Sequence, residues 1–396
     1  MTAAVKELDR RSLGVLSGGH CSVDLCQGAV PALLPFLIAD RHYSYAAAGM
    51  LVLAATIGSS LVQPLFGALS DRLTLPWLMP VGPFVAGTGV ALIGVMPTFA
   101  LTLIVTLVSG LGVAAFHPEG ARYANYASGE KRGTGMSLFS VGGNVGFALG
   151  PVYASSLILA LGLNGGLLLA LPGFLVAAGL IACLRYLQEF APESATSQVV
   201  APPRAERRGL KLLLVVVGLR SVAHMGLFTF IPLWEVHKGH GKAYATMVLA
   251  LFLFAGAVGT LLGGPLADRF GRRPVLRWSF VAATPLILVY VVVGGPVGVL
   301  ALVLAGATVI GTFGVSLVMS QEYMPGRVGM ASGLSIGLAI GLGGIAALTL
   351  GAVADAVDLR TAVLATAAGP AVALLVSLLL PPAPVRRPVE PLAATM

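Results

Sequence analysis

The stretch GPLADRFGRR at Gly264–Arg273 and the shorter stretch GALSDR at Gly67–Arg72 decide the fold of this chain. Each stretch ends a long apolar run, and each carries an aspartate followed by an arginine. The two aspartates, Asp71 and Asp268, lie 197 residues apart in a chain of 396 residues. A motif that recurs after half the length of a chain indicates an internal duplication.

The composition identifies the surroundings of the chain. It is 57% hydrophobic and 10% charged, with a mean hydropathy of +0.92, which no soluble domain of this size could bury. Apolar runs long enough for a membrane-spanning helix recur between short polar clusters, and we count twelve of them. The runs are continuous and do not alternate, which excludes a β-barrel. We therefore predict an all-α polytopic membrane protein with twelve transmembrane helices in two six-helix pseudo-symmetric bundles.

A second match supports the duplication. At an offset of 195, four residues align with four others: Arg132, Ser137, Gly142 and Gly146 with Arg327, Ser332, Gly337 and Gly341. The longest polar interval, rich in proline and arginine, lies between the copies and predicts a linker. We predict an N-terminal bundle at 1–187, a cytoplasmic linker at 188–209 and a C-terminal bundle at 210–396. Both copies begin on the same side, so the pseudo-twofold axis runs along the membrane normal.

The basic residues set the orientation. With both termini in the cytoplasm, the outer loops hold Arg41, Lys238, Lys242 and Arg360, and Arg220 lies within a span, which leaves 19 of the 24 Lys and Arg residues inside. The charge of +8 is thereby explained by topology, so no nucleic-acid partner is expected. The first apolar run is too long for a cleaved signal peptide.

The duplicated motif has a known counterpart. A Gly-x-x-x-Asp-Arg loop after the second helix of each half resembles the hallmark of the major facilitator superfamily, although the first copy lacks the trailing Gly-Arg-Arg. The resemblance implies two bundles around a central cavity and a cytoplasmic charge relay that acts as a conformational gate. We assign the relay to Gly67, Asp71, Arg72, Gly264, Asp268, Arg269, Arg272 and Arg273. A plain topogenic loop is the competing interpretation.

The fifth predicted helix is rich in glycine. Gly146, Gly150 and Pro151 resemble the Gly-x-x-x-Gly-Pro motif of proton-coupled antiporters of the superfamily, although Ala154 and Ser155 replace its last glycines. We group these three residues with the gate, because small residues permit close helix approach and proline bends the helix. Helix packing alone would also explain them.

More narrowly, the chain resembles the fosmidomycin resistance group of that superfamily over nearly its whole length. The motifs that carry this resemblance are His20 with Asp24, AAFHPEG at 114–120, SVGGNVGFALGP at 140–151 and QEYMPGRVGMASGL at 321–334. It implies export of a drug or a metabolite. We expect location in a bacterial inner membrane.

Ionisable residues within the spans are candidates for function, because burying a charge in hydrocarbon is costly. Asp24 and Gln27 each fall within about 40° of His20 on the first helix, so the three residues form one polar stripe. If the fourth helix is its neighbour, as the resemblance implies, His117 and Glu119 complete a proton-coupling cluster with His20 and Asp24. Alternatively His20 and Asp24 are a structural pair, and Glu119 snorkels to the interface.

In the second half, Arg220 and His224 share a face of the seventh helix. A fixed cation at membrane depth suits an anionic substrate such as a phosphonate or a carboxylate. The alternative is an internal salt bridge from Arg220 to Glu322 or Asp24. We list Asn144 and Gln27 with Arg220 and His224 as substrate-binding candidates, and Glu322 as a gate residue.

Together these patterns predict secondary transport, with proton-driven antiport of a small drug or anionic metabolite as the leading interpretation. Proton symport or uptake of a metabolite uses the same groups with different linkage. A membrane-embedded enzyme or receptor is a remote alternative, because there is no phosphate-binding glycine loop and no paired catalytic cluster. We expect no metal and no cofactor beyond a proton gradient, with protons, lipid and a small solute as partners of a monomer.

Overall fold

The computed structural model describes residues 7–63, 65–66, 69, 73, 75–129, 132–190, 207–324 and 328–382. All regular elements in this part of the chain are helical, which confirms the predicted fold class. The gate residues Gly67, Asp71 and Arg72 lie outside the described residues, as do residues 191–206 of the predicted linker.

The first half contains six helical segments. They are α1 (Arg10–Arg41), α2 (Tyr45–Thr56, continued by a π-helical turn at Ile57–Leu61), α3 (Leu78–Leu92), α4 (Phe99–Ala127), α5 (Arg132–Leu161) and α6 (Ala170–Gln188, preceded by a 3-10 turn at Leu163–Leu169). We call the end of the bundle where α1 meets α2 the outer end, and the opposite end the inner end. The predicted orientation places the outer end outside the cell.

The second half repeats this arrangement with two broken helices. Its segments are α7 (Arg207–His237), α8 (Lys242–Phe270), α9 (Arg272–Val292), α10 (Gly295–Gly311), α11 (Phe313–Tyr323), α12 (Val328–Ala356), α13 (Leu359–Ala365) and α14 (Ala368–Ser377). Among the described residues ten helical stretches are long and apolar enough to cross a membrane, counting α10 with α11 and α13 with α14 as single spans. Tyr45–Leu61 and Leu78–Leu92 are shorter apolar helices.

Side-chain caps fix where several helices begin. Asp9 accepts a hydrogen bond from the backbone N–H of Ser12 at 2.7 Å, and its other oxygen accepts from the Tyr186 hydroxyl at 3.0 Å. Partial burial raises the pKa of Asp9, but these hydrogen bonds outweigh it and lower the pKa overall. Because Tyr186 lies on α6, Asp9 also ties the first and last helices of this half together.

Glycines bring the backbones of α1 and α5 into contact. Gly142, Gly146 and Gly150 lie in turn against the backbone carbonyls of Ser17, Cys21 and Leu25. A Cβ atom at any of the three positions would overlap the facing carbonyl oxygen. The glycine pattern that the sequence shows therefore has a packing role in the first half, since small residues permit this close approach.

The two halves meet at the outer end through the start of α2. The first four N–H groups of a helix have no intrahelical partner. Asp355, at the end of α12 in the other half, accepts from the N–H groups of Tyr45 and Ala46 at 2.9 and 2.8 Å, and Ser44 accepts from Ala47 at 3.1 Å. An acidic residue is unfavourable at the C-terminus of its own helix, so Asp355 contributes through the helix it caps.

Helices α2 and α12 separate towards the inner end. Gly351, Gly344 and Gly337 are spaced seven residues apart along α12 and follow α2 from its outer end inwards. A Cβ at Gly351 would overlap the backbone of Tyr45, one at Gly344 would overlap the Thr56 side chain, and one at Gly337 would lie 3.8 Å from the Ser60 carbonyl oxygen. The outer end is thus the tighter part of this contact between the halves.

We expect Asp355→Ala to weaken the outer contact, because two N–H groups of α2 lose their acceptor. Loss of such a cap costs about 1 kcal/mol, so the population with separated outer ends should rise about fivefold. Spin labels at the exposed outer positions Leu161 and Val297, in a cysteine-free background, would measure this by pulsed electron paramagnetic resonance.

The matched control is Asp358→Ala, which removes a cap that lies within the second half, on the N–H of Thr361. If both variants shift the label distances equally, the contact between Asp355 and α2 does not hold the halves together.

A pair of repeat-related glycines tests the backbone contact of α1 and α5. Gly146 lies against Cys21, whereas its counterpart Gly341 has no atom within 4 Å of a built Cβ. We expect Gly146→Ala to lower stability by about 1–3 kcal/mol through overpacking. Gly341→Ala should be neutral or stabilising by up to about 1 kcal/mol, because alanine favours helix. Thermal unfolding monitored by size-exclusion chromatography would compare them, and equal losses would contradict the asymmetry.

Candidate functional site

A triad of His20, Asp24 and His117 lies near the middle of the first half. His20 Nε2 is 3.3 Å from one oxygen of Asp24, and His117 Nε2 is 3.4 Å from the other. The side chains of His20, Asp24 and His117 are 12%, 16% and 20% exposed, respectively. The structure therefore brings together three of the four residues that the sequence groups as a proton-coupling cluster.

Backbone carbonyls fix the orientation of both imidazoles. His20 Nδ1 lies 2.8 Å from the Phe139 carbonyl oxygen, and His117 Nδ1 lies 2.8 Å from the Val113 carbonyl oxygen. A carbonyl accepts a hydrogen bond, so each Nδ1 must be the donor. Each Nε2 is consequently left to face Asp24.

Neighbouring residues on α5 close one side of the triad. The Phe139 ring stacks on His20, with ring centroids 4.3 Å apart and planes inclined by 23°. A Cβ at Gly143 would overlap the His20 ring and would lie 2.6 Å from Asp24 Oδ2. Only glycine fits at position 143 without displacing the triad. The sequence shows this glycine, but its contact with Asp24 depends on helix packing that periodicity does not reveal.

Glu119 does not join the triad. It is 1% exposed and pairs with Arg122 on its own helix, at 3.3 Å between Nη1 and Oε1. Spacing of three residues places both side chains on one face of α4, and this local partner satisfies the carboxylate. The expected position of Glu119 in the cluster is therefore wrong, whereas the alternative that it lies towards the inner interface stays a prediction.

Gln27 lies one turn further along α1 and contacts a different group. Its side-chain amide donates to the Ser59 hydroxyl at 3.2 Å, and Ser59 lies 3.2 Å from the Ser60 hydroxyl. Both serines are buried on the π-helical turn after α2. Asn144 lies partly buried on α5, next to Gly143.

Arg220, on α7 in the second half, is a buried cation. It is 2% exposed, donates to the Ser316 hydroxyl at 3.2 Å and lies 5.4 Å from the centre of the Phe313 ring. Within the described part of the chain it forms no ion pair. The alternative of a salt bridge to Glu322 or Asp24 is wrong, because Glu322 pairs with Arg272 at 2.6 Å and Asp24 with the two histidines.

His224 lies one turn from Arg220 and carries an unsatisfied atom. Its Nε2 is buried and has no hydrogen-bond partner among the described residues. Buried polar atoms without partners are rare in folded proteins. The sequence identifies this pair by its spacing of four, but not Ser316 and Phe313, which reach Arg220 because the break between α10 and α11 places them there.

The triad and Arg220 lie at similar depths. Asp24 is 14 residues from the start of α1 and Arg220 is 13 residues from the start of α7, about 20 Å along each helix. Helices α1 and α7 are in contact across the interface of the halves. The two groups of polar residues therefore lie at a similar depth on neighbouring helices.

The described copy of the duplicated motif lies at the inner end. Gly264, Asp268 and Arg269 are exposed on the last turns of α8, and Arg272 at the start of α9 pairs with Glu322 of α11. Arg273 donates to the Leu380 carbonyl oxygen at 3.2 Å. These contacts lie within the second half, so they bind its helices to one another.

A buried carboxylate of the second half lies near the outer end, away from Arg220. Glu235 is fully buried and accepts from Lys238 at 2.7 Å, His240 at 2.6 Å and the Tyr290 hydroxyl at 2.7 Å. The spacing of Glu235 and Lys238 predicts their pairing. Tyr290 comes from α9, and no local pattern connects it to Glu235.

The chain is similar to known proteins over most of its length. A family model described as Major Facilitator Superfamily matches residues 16–348 and 242–395. The chain belongs to this superfamily. It is 33% identical over 374 residues to the MFS-type transporter YfnC of Bacillus subtilis (strain 168), covering 91% of this chain and 90% of that protein. It is 32% identical over 351 residues to the fosmidomycin resistance protein of Escherichia coli (strain K12), covering 87% and 86%.

Solved structures show the same fold. A bacterial homolog of the human lysosomal transporter Spinster, in an inward-facing and occupied conformation, superposes with a TM-score of 0.77 at 15% identity over 93% of this chain and 96% of that one. This superfamily member is therefore a multi-pass membrane transporter of small solutes and not an enzyme. The predicted superfamily and the resemblance to the fosmidomycin resistance group are confirmed.

Proposed function

We propose that this transporter exports a small anionic solute in exchange for protons, with the solute at Arg220 and the protons at the His20–Asp24–His117 triad. The proposal takes both termini to be cytoplasmic and the membrane to be the bacterial inner membrane, as the distribution of basic residues indicates. Different observations support the solute site and the proton site.

The guanidinium of Arg220 carries the proposal, because no acidic residue in the described part of the chain pairs with it. A charged side chain at the centre of a membrane costs about 2.5–3.5 kcal/mol or more unless it is compensated. Ser316 is neutral, and the Phe313 ring compensates a cation only in part. A carboxylate, phosphonate or phosphate group supplies the missing charge and can accept two parallel hydrogen bonds from the guanidinium.

The break between α10 and α11 adds to the anion site. Phe313 and Ser316 lie on the first turn of α11, whose N-terminus carries a partial positive charge. Discontinuous membrane helices place such termini at substrate sites of transporters. The unsatisfied Nε2 of His224 offers a further hydrogen bond on the same face of α7. Since Arg220 is 2% exposed here, solute entry requires the surrounding helices to separate.

The relative from Escherichia coli extends the proposal to drugs. It is named for resistance to fosmidomycin, and this chain covers 86% of its length. Export of an anionic drug is one way in which a transporter confers such resistance, so we include drug efflux in the proposed function. The buried cation favours anionic members of a drug panel over neutral ones.

The triad supports proton coupling. Asp24 lies between two imidazoles at membrane depth, and histidine is the side chain whose charge changes most readily near neutral pH. Coupling requires that protons and solute favour different arrangements of the halves. The contact of α1 with α7 gives both sites a common interface at which such a difference can act.

We expect Arg220→Gln to raise the KM for an anionic solute at least a hundredfold, because two charge-assisted hydrogen bonds are lost. Arg220→Lys should recover part of the affinity, since it keeps the charge but not the paired donors. Uptake of radiolabelled fosmidomycin into proteoliposomes that hold the protein inside-out would measure the KM of both variants. Arg360→Gln, at an exposed outer position, is the control. An unchanged KM in the folded Arg220→Gln protein would contradict the anion site.

We expect Asp24→Asn to abolish proton movement that depends on solute, because the acceptor between the imidazoles loses its charge. Internal pH of liposomes under an imposed gradient would record this, with Glu119→Gln as control because Glu119 is occupied by Arg122. Solute flux without proton flux in the wild type would rule out coupling. Protons and solute moving in the same direction would establish symport in place of antiport.

A further inference from the structure

We infer that the His20–Asp24–His117 triad is a binding site for a divalent transition metal such as Zn²⁺. The inference goes beyond the proposed transport function and does not depend on it, since it needs only the positions of the donor atoms. Each residue offers one ligand atom, a ring nitrogen from each histidine and a carboxylate oxygen from Asp24. These three atoms lie within 4.8 Å of one another. Among the described residues this is the one group of three with that property.

The separations between each histidine and the Asp24 carboxylate are close to those between ligands of a metal site. Zinc ligands lie about 2.0–2.2 Å from the ion in a tetrahedron, which places neighbouring donor atoms about 3.3 Å apart. His20 Nε2 and His117 Nε2 lie 3.3 and 3.4 Å from the Asp24 oxygens. A direct charge-assisted hydrogen bond would be shorter, at about 2.7–2.9 Å. Each histidine thus lies at about the ligand–ligand distance from a different Asp24 oxygen, His20 from Oδ2 and His117 from Oδ1, so the carboxylate can bind an ion between the two rings through either oxygen.

The outer contacts of both imidazoles are those that metal sites use. A ligating histidine almost always donates its second N–H to a carbonyl or carboxylate, which orients the ring and directs the other nitrogen at the ion. The Phe139 and Val113 carbonyl oxygens accept from Nδ1 of His20 and His117 at 2.8 Å. The two Nε2 atoms thereby converge on Asp24 from different helices.

The donor set and the exposure select the kind of ion. Two imidazoles with one carboxylate suit Zn²⁺, Co²⁺ or Ni²⁺, whereas Mg²⁺ and Ca²⁺ prefer oxygen ligands alone. Three protein ligands leave a fourth position for water. The side chains of the triad are 12–20% exposed, so this position can be reached, while Gly143 closes the opposite side.

Binding can be measured without transport. Purified full-length protein in nanodiscs, freed of metal with a chelator, would be titrated with Zn²⁺ by calorimetry. We expect one ion per chain in the wild type and at least tenfold weaker binding in His117→Gln and in Asp24→Asn. Gly143→Ala keeps every donor but fills the wall of the site, and we expect it to weaken binding as well.

The matched control removes histidines elsewhere. His237 and His240 lie near the outer end beside Glu235, so His237→Gln with His240→Gln tests whether zinc binds there instead. We expect this double variant to bind as the wild type does. Loss of binding in it, or unchanged affinity in folded His117→Gln and Asp24→Asn, would overturn the inference.

Absorption spectra of bound Co²⁺ test the site in the wild-type protein. This test does not depend on whether the variants fold. Co²⁺ bound by two imidazoles and a carboxylate should show the visible absorption of a four-coordinate ion without a thiolate charge-transfer band. A thiolate band would place the metal on Cys21, Cys26 or Cys183, and the absence of bound cobalt would also overturn the inference.

Discussion

The interior of a bilayer supplies no hydrogen-bond partners, so each polar side chain at depth must find its partner within the protein or leave it to a ligand. Glu119 and Glu235 show the first outcome. Each is buried, and each forms a salt bridge with a basic residue three positions further along its helix. Both carboxylates therefore have their partners within the protein. Arg220 and His224 show the second outcome, since one lacks a counter-charge and the other a hydrogen-bond partner among the described residues. Polar groups whose hydrogen-bonding or charge requirements the described fold does not meet are therefore the candidates for ligand contact.

The duplicated halves use their shared glycines differently. In the first half the glycines of α5 contact the backbone of α1 throughout, which fixes Gly143 beside His20 and Asp24. In the second half Gly341 has open space around it, while Gly351 of the same helix contacts the start of α2 in the other half. One bundle is thus packed tightly around its triad, and the other uses part of the corresponding helix to contact its neighbour. A duplicated pattern has acquired separate roles without losing its spacing.

How much of this could be predicted differs between elements. The twelve apolar runs and the repeat are properties of the chain itself, and periodicity alone places His20, Asp24 and Gln27 on one stripe. His117 required knowledge that α4 adjoins α1, which came from the family resemblance. Glu119 is only two residues from His117, but its partner is Arg122, three residues away on the same face of α4, so closeness in sequence to His117 was misleading. The sequence could not assign partners to Asp355, Tyr290 and Ser316. Their contacts join residues at least 55 positions apart and depend on how the helices pack against one another.

The positions of the triad and Arg220 connect the two sites through one movement. They lie at similar depth on α1 and α7, which touch each other, and the halves are joined at the outer end by Asp355 and the start of α2. A rotation that opened the outer end would break this cap, separate Gly351 from Tyr45 and alter the contact of α1 with α7. Because each site is carried by one of those two helices, such a rotation changes the position of one site relative to the other. If the proposed proton site and the proposed solute site each favour a different arrangement of the halves, binding at one site changes the affinity at the other, as the proposed coupling requires.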